Sequence, residues 1–175
     1  MTKYAGIQYF EVVNGEGIGH SLFLSGCSFH CEGCFNQKAW DFDYGRTFRE
    51  VDMWQFVNRC REDSEAGYIS RVSILGGEPL HENNIEATKE LVYLLKRYVK
   101  GTIWLYTGCR YEDLLSLEDD TVDYILNTVD YLVDGRFVQS LYDPKLPFRG
   151  SSNQRIISLW ESRIWEEFKL WKADV

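Results

Sequence analysis

The sequence predicts a single α/β domain over residues 1–175, built on an open parallel sheet or a partial (β/α) barrel. Three observations carry this prediction. Strand-like apolar stretches alternate with helix-like stretches from His20 onward, the pattern of parallel strands joined by right-handed crossovers. A complete eightfold barrel takes roughly 250 residues, and the chain has 175. Four polar or glycine-rich segments each follow an expected strand, and ligands of such folds sit at the carboxyl ends of the strands.

Taken in order, residues 20–25 (HSLFLS) read as a short buried strand ending at Gly26. Residues 48–62 read as a helix, with Met53, Val57 and Cys60 on one side and Trp54 beside them. Residues 68–75 (YISRVSIL) form a strand that runs into Gly76-Gly77-Glu78-Pro79. Residues 84–99 are helical, with Ala87, Leu91, Leu94, Leu95 and Tyr98 facing inward. Residues 102–106 (TIWLY) are the next strand, followed by the turn Thr107-Gly108. A helix over 111–127 leads to a strand over 130–133, which ends at Asp134-Gly135. Residues 142–153 form a long loop with Pro144, Pro147 and Gly150, before a last strand over 155–159 and a last helix over 160–172. In that helix Trp160, Ile164, Phe168 and Trp171 make a stripe at helical spacing, read as core packing.

Composition excludes several classes. An apolar content of 45% and an aromatic content of 15% belong to a folded globule. A net charge of −8 argues against general binding to nucleic acid, which needs a basic footprint. No apolar run approaches the ~18 residues of a membrane helix. The opening MTKYAGIQYFEVV is charged and aromatic early, unlike a secretory signal. The expected compartment is the cytoplasm, where thiols stay reduced. Five cysteines is an odd count, and their clustering suits a metal site better than a disulfide framework.

Cys27, Cys31 and Cys34 fall within the run GCSFHCEGCFN. Three buried thiols without metal fit poorly, because Ser28, His30, Glu32 and Gly33 make this a polar loop. Structural zinc would need a fourth ligand, from His30, His20, Cys60 or Cys109, and no second cysteine knuckle is present. The third reading is a 4Fe-4S cluster held by three thiolates, with the fourth iron left open for a small molecule.

The spacing Cys27-x3-Cys31-x2-Cys34 resembles the signature of the radical S-adenosylmethionine enzymes, and Gly76-Gly77-Glu78-Pro79 resembles their methionine-binding motif. Asn14-Gly15-Glu16-Gly17 is similar to the Asn-Gly-Pro-Gly element of glycyl-radical activases, with Glu16 in place of proline. Residues 131–137 (YLVDGRF), Pro147 and residues 149–155 (RGSSNQR) resemble one subgroup, the anaerobic ribonucleoside-triphosphate reductase activating proteins. Many radical S-adenosylmethionine proteins carry an aromatic residue before the third cysteine, whereas this chain has Gly33, as the activases tend to.

The resemblance implies a partial barrel of the radical S-adenosylmethionine type and roles for particular residues. Cys27, Cys31 and Cys34 would hold one 4Fe-4S cluster whose free iron binds S-adenosylmethionine. Gly33 would let the backbone approach that cofactor, and Phe35 would offer a flat face to its adenine or else pack in the core. Gly76 and Gly77 would turn the backbone toward the methionine moiety. Glu78 would accept from its ammonium group or orient the turn. Thr107 and Asp134 would line the same pocket or serve as caps. Arg149 and Arg155 would pair with a carboxylate of the cofactor or with the partner. Cys60 reads as core and Cys109 as incidental. His20, His30 and His81 show no base or ligand partner.

The implied activity is reductive cleavage of S-adenosylmethionine and abstraction of a hydrogen atom, leaving a glycyl radical on the large subunit of an anaerobic ribonucleotide reductase. The expected electron donor is a reduced flavodoxin-type protein. The alternatives are an activase of another glycyl-radical enzyme, another small radical S-adenosylmethionine enzyme such as a deazaguanine-forming cyclase, and a zinc-stabilised interaction module.

Overall fold

The four strands predicted between His20 and Val133 are present and lie side by side in parallel in the computed structural model, which describes residues 1–165 and 167–172. They are β2 (Gly19–Leu24), β4 (Arg71–Gly76), β5 (Thr102–Tyr106) and β6 (Tyr131–Asp134). The sheet as a whole is mixed, which corrects the all-parallel expectation. An N-terminal strand that the sequence reading missed, β1 (Lys3–Glu11), pairs antiparallel with β2 and with the short β3 (Arg46–Thr47). At the other edge β7 (Arg155–Ser158) pairs antiparallel with β6. The full order is β3-β1-β2-β4-β5-β6-β7. The reason lies in the connections. A parallel neighbour needs a crossover, usually a helix, whereas β1–β2 and β6–β7 are joined by loops with no α-helix.

The helices α1 (Glu50–Glu65), α2 (Ile85–Tyr98) and α4 (Asp120–Thr128) pack on one face of the sheet. Strand side chains alternate between faces. Leu22, Leu24, Val72, Ile74, Ile103, Leu105 and Leu132 meet Phe56, Val57, Leu91, Leu95 and Ile125 in the main core. Met53, Val57 and Cys60 are buried as expected. Tyr98, expected inside α2, is exposed, and Thr88 and Val92 occupy the inner face instead. Trp104, Val133 and Ile156 form a second, smaller cluster on the opposite face.

The expected helix over 111–127 is two helices, α3 (Tyr111–Leu115) and α4. Glu118, at φ 51°, breaks the run. Asp119 then caps α4, its carboxylate accepting from the N–H groups of Thr121 and Val122 at 2.8 and 3.0 Å, a contribution of about 1 kcal/mol. The last helix, α5 (Leu159–Trp165), is also shorter than expected. Phe168 and Trp171 lie beyond it, so the four-residue stripe is not one helical face. Trp171 instead packs on Trp104 and Phe148, and its indole N–H donates to Glu16 at 3.2 Å. No described helix is long and apolar enough to cross a membrane.

Candidate functional site

The ends of β2, β4, β5 and β6 open into one cavity of about 770 Å³. Its wall includes Cys27, Cys31 and Cys34, the Gly76-Gly77-Glu78 turn, Thr107-Gly108, and Gly135 with Arg136. Four sequence segments that are far apart in the chain therefore meet, as the strand-end placement predicts.

The turn after β4 is built by close backbone approach. The Gly77 N–H donates to the Leu24 carbonyl at 2.7 Å, and the Glu78 N–H donates to the Gly26 carbonyl at 2.8 Å. A Cβ at Gly77 would sit 2.5 Å from the Gly26 oxygen, and one at Gly76 would sit 2.6 Å from the Leu24 oxygen. Only glycine fits there. The buried Asn84 amide, which the sequence reading passed over, donates to Ser25 O at 2.9 Å and to Glu78 O at 3.0 Å. It ties the cysteine loop to the turn. An asparagine just before a helix is its only sequence signal, and that signal suggests a cap rather than a brace.

Glu78 is buried, and its carboxylate accepts from Leu80 N–H at 3.0 Å, the Thr107 hydroxyl at 2.8 Å and Gly108 N–H at 2.7 Å. Burial nevertheless pushes its pKa above the ordinary carboxylate value. These bonds fit the turn-orienting role. Thr107 likewise uses its hydroxyl internally, accepting from Cys109 N–H at 3.0 Å while donating to Glu78.

Asp134 is not brought to the cavity. The two-residue period of β6 puts it on the same side as Leu132. There its carboxylate accepts from Tyr111 N–H at 2.9 Å and from Arg155 Nε at 3.0 Å. Arg155 also grips Glu112 with two bonds of 2.7 and 2.8 Å, so neither residue is free for a ligand. Gly33, at φ 72°, is also off the cavity wall, because the Gln139 side chain occupies the space beside it. Phe35 does line the cavity. It is 70% exposed and packs at the mouth against Phe137 and Tyr142, with centroids 5.5 and 5.7 Å apart, so it is not a core residue.

Two cations on the wall stand out in a chain of net charge −8. Arg149 has a buried Nε with no hydrogen-bond partner, and Arg136 lies over the Phe29 ring at 4.3 Å. Neither pairs with a carboxylate among the described residues. A buried ion pair braces the segment that follows β1. The fully buried Arg71 pairs with Glu11 at 2.7 Å and donates to Ser73 Oγ at 2.8 Å. Ser73 Oγ in turn donates to Asn14 O at 2.6 Å. This chain positions Val12, Val13 and Asn14 on the cavity wall.

The donor set fits an iron–sulfur cluster. Burial pushes the Cys27 and Cys31 thiols up, while backbone N–H groups beside each sulfur act against that shift. The Asn36 N–H donates to Cys34 Sγ at 3.4 Å. Such N–H donors suit thiolates that carry negative charge. Among the described residues no three His, Cys, Asp or Glu side chains gather closely enough to hold one ion. Two of the four candidate fourth zinc ligands are engaged elsewhere. Cys60 is in the helix-side core, and His20, for which the sequence suggested no partner, has its Nε2 2.7 Å from Asp63.

A 4Fe-4S single cluster domain family matches residues 13–157, and an iron–sulfur protein is the class that this fold and site define. The chain is also 38% identical over 155 residues to the anaerobic ribonucleoside-triphosphate reductase-activating protein of Haemophilus influenzae, covering 86% of this chain and 95% of that one. The namesakes from Escherichia coli (38% over 152 residues, 84% and 94% covered) and Vibrio cholerae (37% over 154 residues, 85% and 94% covered) are similar. The chain belongs to the family of anaerobic ribonucleoside-triphosphate reductase-activating proteins.

Proposed function

We propose that this protein activates an anaerobic ribonucleoside-triphosphate reductase by using a 4Fe-4S cluster and S-adenosylmethionine to place a glycyl radical on the large reductase subunit. One observation carries the reading: the three cysteines and the Gly76-Gly77-Glu78 turn share one cavity wall, in a chain whose relatives of nearly equal length bear that name. When bound, a three-thiolate cluster supplies an electron and an open iron position at which S-adenosylmethionine can be reductively cleaved.

The protein's own residues bind, orient and shield. Cys27, Cys31 and Cys34 hold three irons. Gly76 and Gly77 present bare backbone to the methionine moiety. Glu78 and Thr107 lock that turn to the end of β5. Phe35 offers its exposed ring to adenine. Arg149, whose buried Nε has no partner among the described residues, answers the cofactor's carboxylate. Asp134 and Gly33 support the wall from outside. The described helices pack on one face, and on the other side the cavity mouth is open to a loop of a macromolecular substrate. That one-sided arrangement is what a partial barrel needs. The electron comes from a reduced flavodoxin-type donor.

The test is electron paramagnetic resonance on anaerobically reconstituted, dithionite-reduced protein, with and without S-adenosylmethionine, followed by incubation with the reductase. The expected result is a reduced four-iron signal that changes on adding S-adenosylmethionine, then a glycyl-radical signal in the reductase. Cys31→Ala should abolish cofactor cleavage and keep the fold, since Cys31 lies outside the core. Zinc at one per chain without sulfide would instead mark an interaction module.

A further inference from the structure

The Asn36 N–H donates to Cys34 Sγ at 3.4 Å, a donor from within the cysteine loop. A second group reaches that loop from far along the chain. The Arg136 guanidinium lies 4.3 Å from the ring centroid of Phe29, a residue between Cys27 and Cys31, and lines the same cavity as all three thiols. Burial pushes the Cys31 thiol up, and the Phe137 backbone and the Arg136 charge act against that shift.

Both residues belong to a strap, residues 135–142, that leaves β6 and runs along the cysteine loop. Arg136 covers Phe29, the Phe137 ring packs on Phe35, and the Gln139 side chain seats against Gly33. The strap's only regular structure is one tight turn, Gln139–Leu141. Its fastening comes from the Arg149–Arg155 stretch. Asn153 Nδ2 donates to Arg136 O at 2.8 Å, and Gln154 Nε2 donates to Gly135 O at 3.0 Å. Gln154 Oε1 accepts from the N–H groups of Gly150 and Ser151 at 3.0 and 3.2 Å, and Val138 N–H donates to Ser151 Oγ at 3.2 Å.

We infer that Asn153 and Gln154 are positioning residues for the cluster: they hold the strap against the cysteine loop so that the Arg136 charge stands beside the proposed cluster ligands. A hydrogen-bond donor or a cation beside a cluster thiolate favours the reduced, more negative state, so it raises the reduction potential. This rests on the cluster reading above and gives the RGSSNQR stretch a physical task. It sets how readily the cluster accepts its electron.

The experiment is a redox titration of the reconstituted full-length protein, followed by electron paramagnetic resonance. It compares wild type with Arg136→Gln, Arg136→Lys, the pair Asn153→Ala and Gln154→Ala, and that pair combined with Arg136→Gln. Iron and sulfide content and thermal melting establish that each variant is folded and loaded. The midpoint potential is expected to shift negative in Arg136→Gln and in the amide pair, and to return toward wild type in Arg136→Lys. Arg136→Gln is expected to add little in the amide-pair background, because the charge is no longer held in place. If the pair loses its fold, Asn153→Ala alone replaces it. Unchanged potentials in loaded variants, or fully additive shifts, overturn the inference alone. A wild type with no reducible cluster overturns both it and the proposed function.

Discussion

The Thr107 hydroxyl donates to the Glu78 carboxylate at 2.8 Å, across the ends of two neighbouring parallel strands. This bond joins the glycine turn to the next strand end inside a buried environment, where an unmatched polar group is expensive. In Glu78→Gln an amide N–H₂ must face the Thr107 hydroxyl or the Gly108 N–H. The expected loss of stability is about 1–3 kcal/mol, with weaker binding of S-adenosylmethionine. Urea unfolding and a binding titration check both. Thr107→Val should act in the same direction, because it also strips the Cys109 N–H of its acceptor.

Gly77→Ala sets a Cβ 2.5 Å from the carbonyl oxygen of Gly26, the residue before the first cluster ligand. Backbone cannot yield as a flexible side chain does. A destabilisation of about 1–3 kcal/mol is expected, with less iron and sulfide per chain after reconstitution. A fully loaded variant of wild-type stability would refute the close-approach account.

Phe35→Ala removes an exposed ring, so stability should stay within about 0.5 kcal/mol. Stacking on a nucleobase is worth about 1–3 kcal/mol. The half-saturating concentration of S-adenosylmethionine should therefore rise about tenfold, and Phe35→Trp should restore it. Cleavage kinetics measured against cofactor concentration decide the matter; an unchanged value assigns the ring to partner contact instead.

The Arg155 guanidinium holds the Glu112 carboxyl down at about 2, from an ordinary 4.5. A carboxylate depressed in the folded state contributes stability above its unfolded pKa, and that contribution is lost as pH falls through the folded one. Stability from this pair should therefore decline between about pH 4.5 and 2. The Glu112 side chain is half exposed, so solvent screens the pair and the effect is modest. Glu112→Gln should flatten that part of the pH profile in thermal melts.

Much of the site could be read from short stretches. The cysteine spacing, the glycine pair and the polar strand ends each depend on a few neighbouring residues. Asp134 could not be placed in this way. It sits at a strand end like Thr107, but only the side taken by Leu132 decides that it faces Tyr111 and Arg155. Arg136 and Phe137 were visible as letters of a familiar run, with no local feature to mark them as neighbours of the cysteine loop. His20 seemed unpartnered because Asp63 lies on another element.

By itself, the sequence determined the order of the core strands and helices, the three thiols in one loop, and the glycines that let two backbones meet. These follow from side-chain periodicity and turn chemistry, which act over a few residues. The tertiary structure decided the antiparallel edges, the face on which Asp134 lies, the brace from Asn84 and the strap against the cysteine loop. Each depends on a partner distant in the chain. Burial and hydrogen bonding choose among such partners only once the sheet has brought them together.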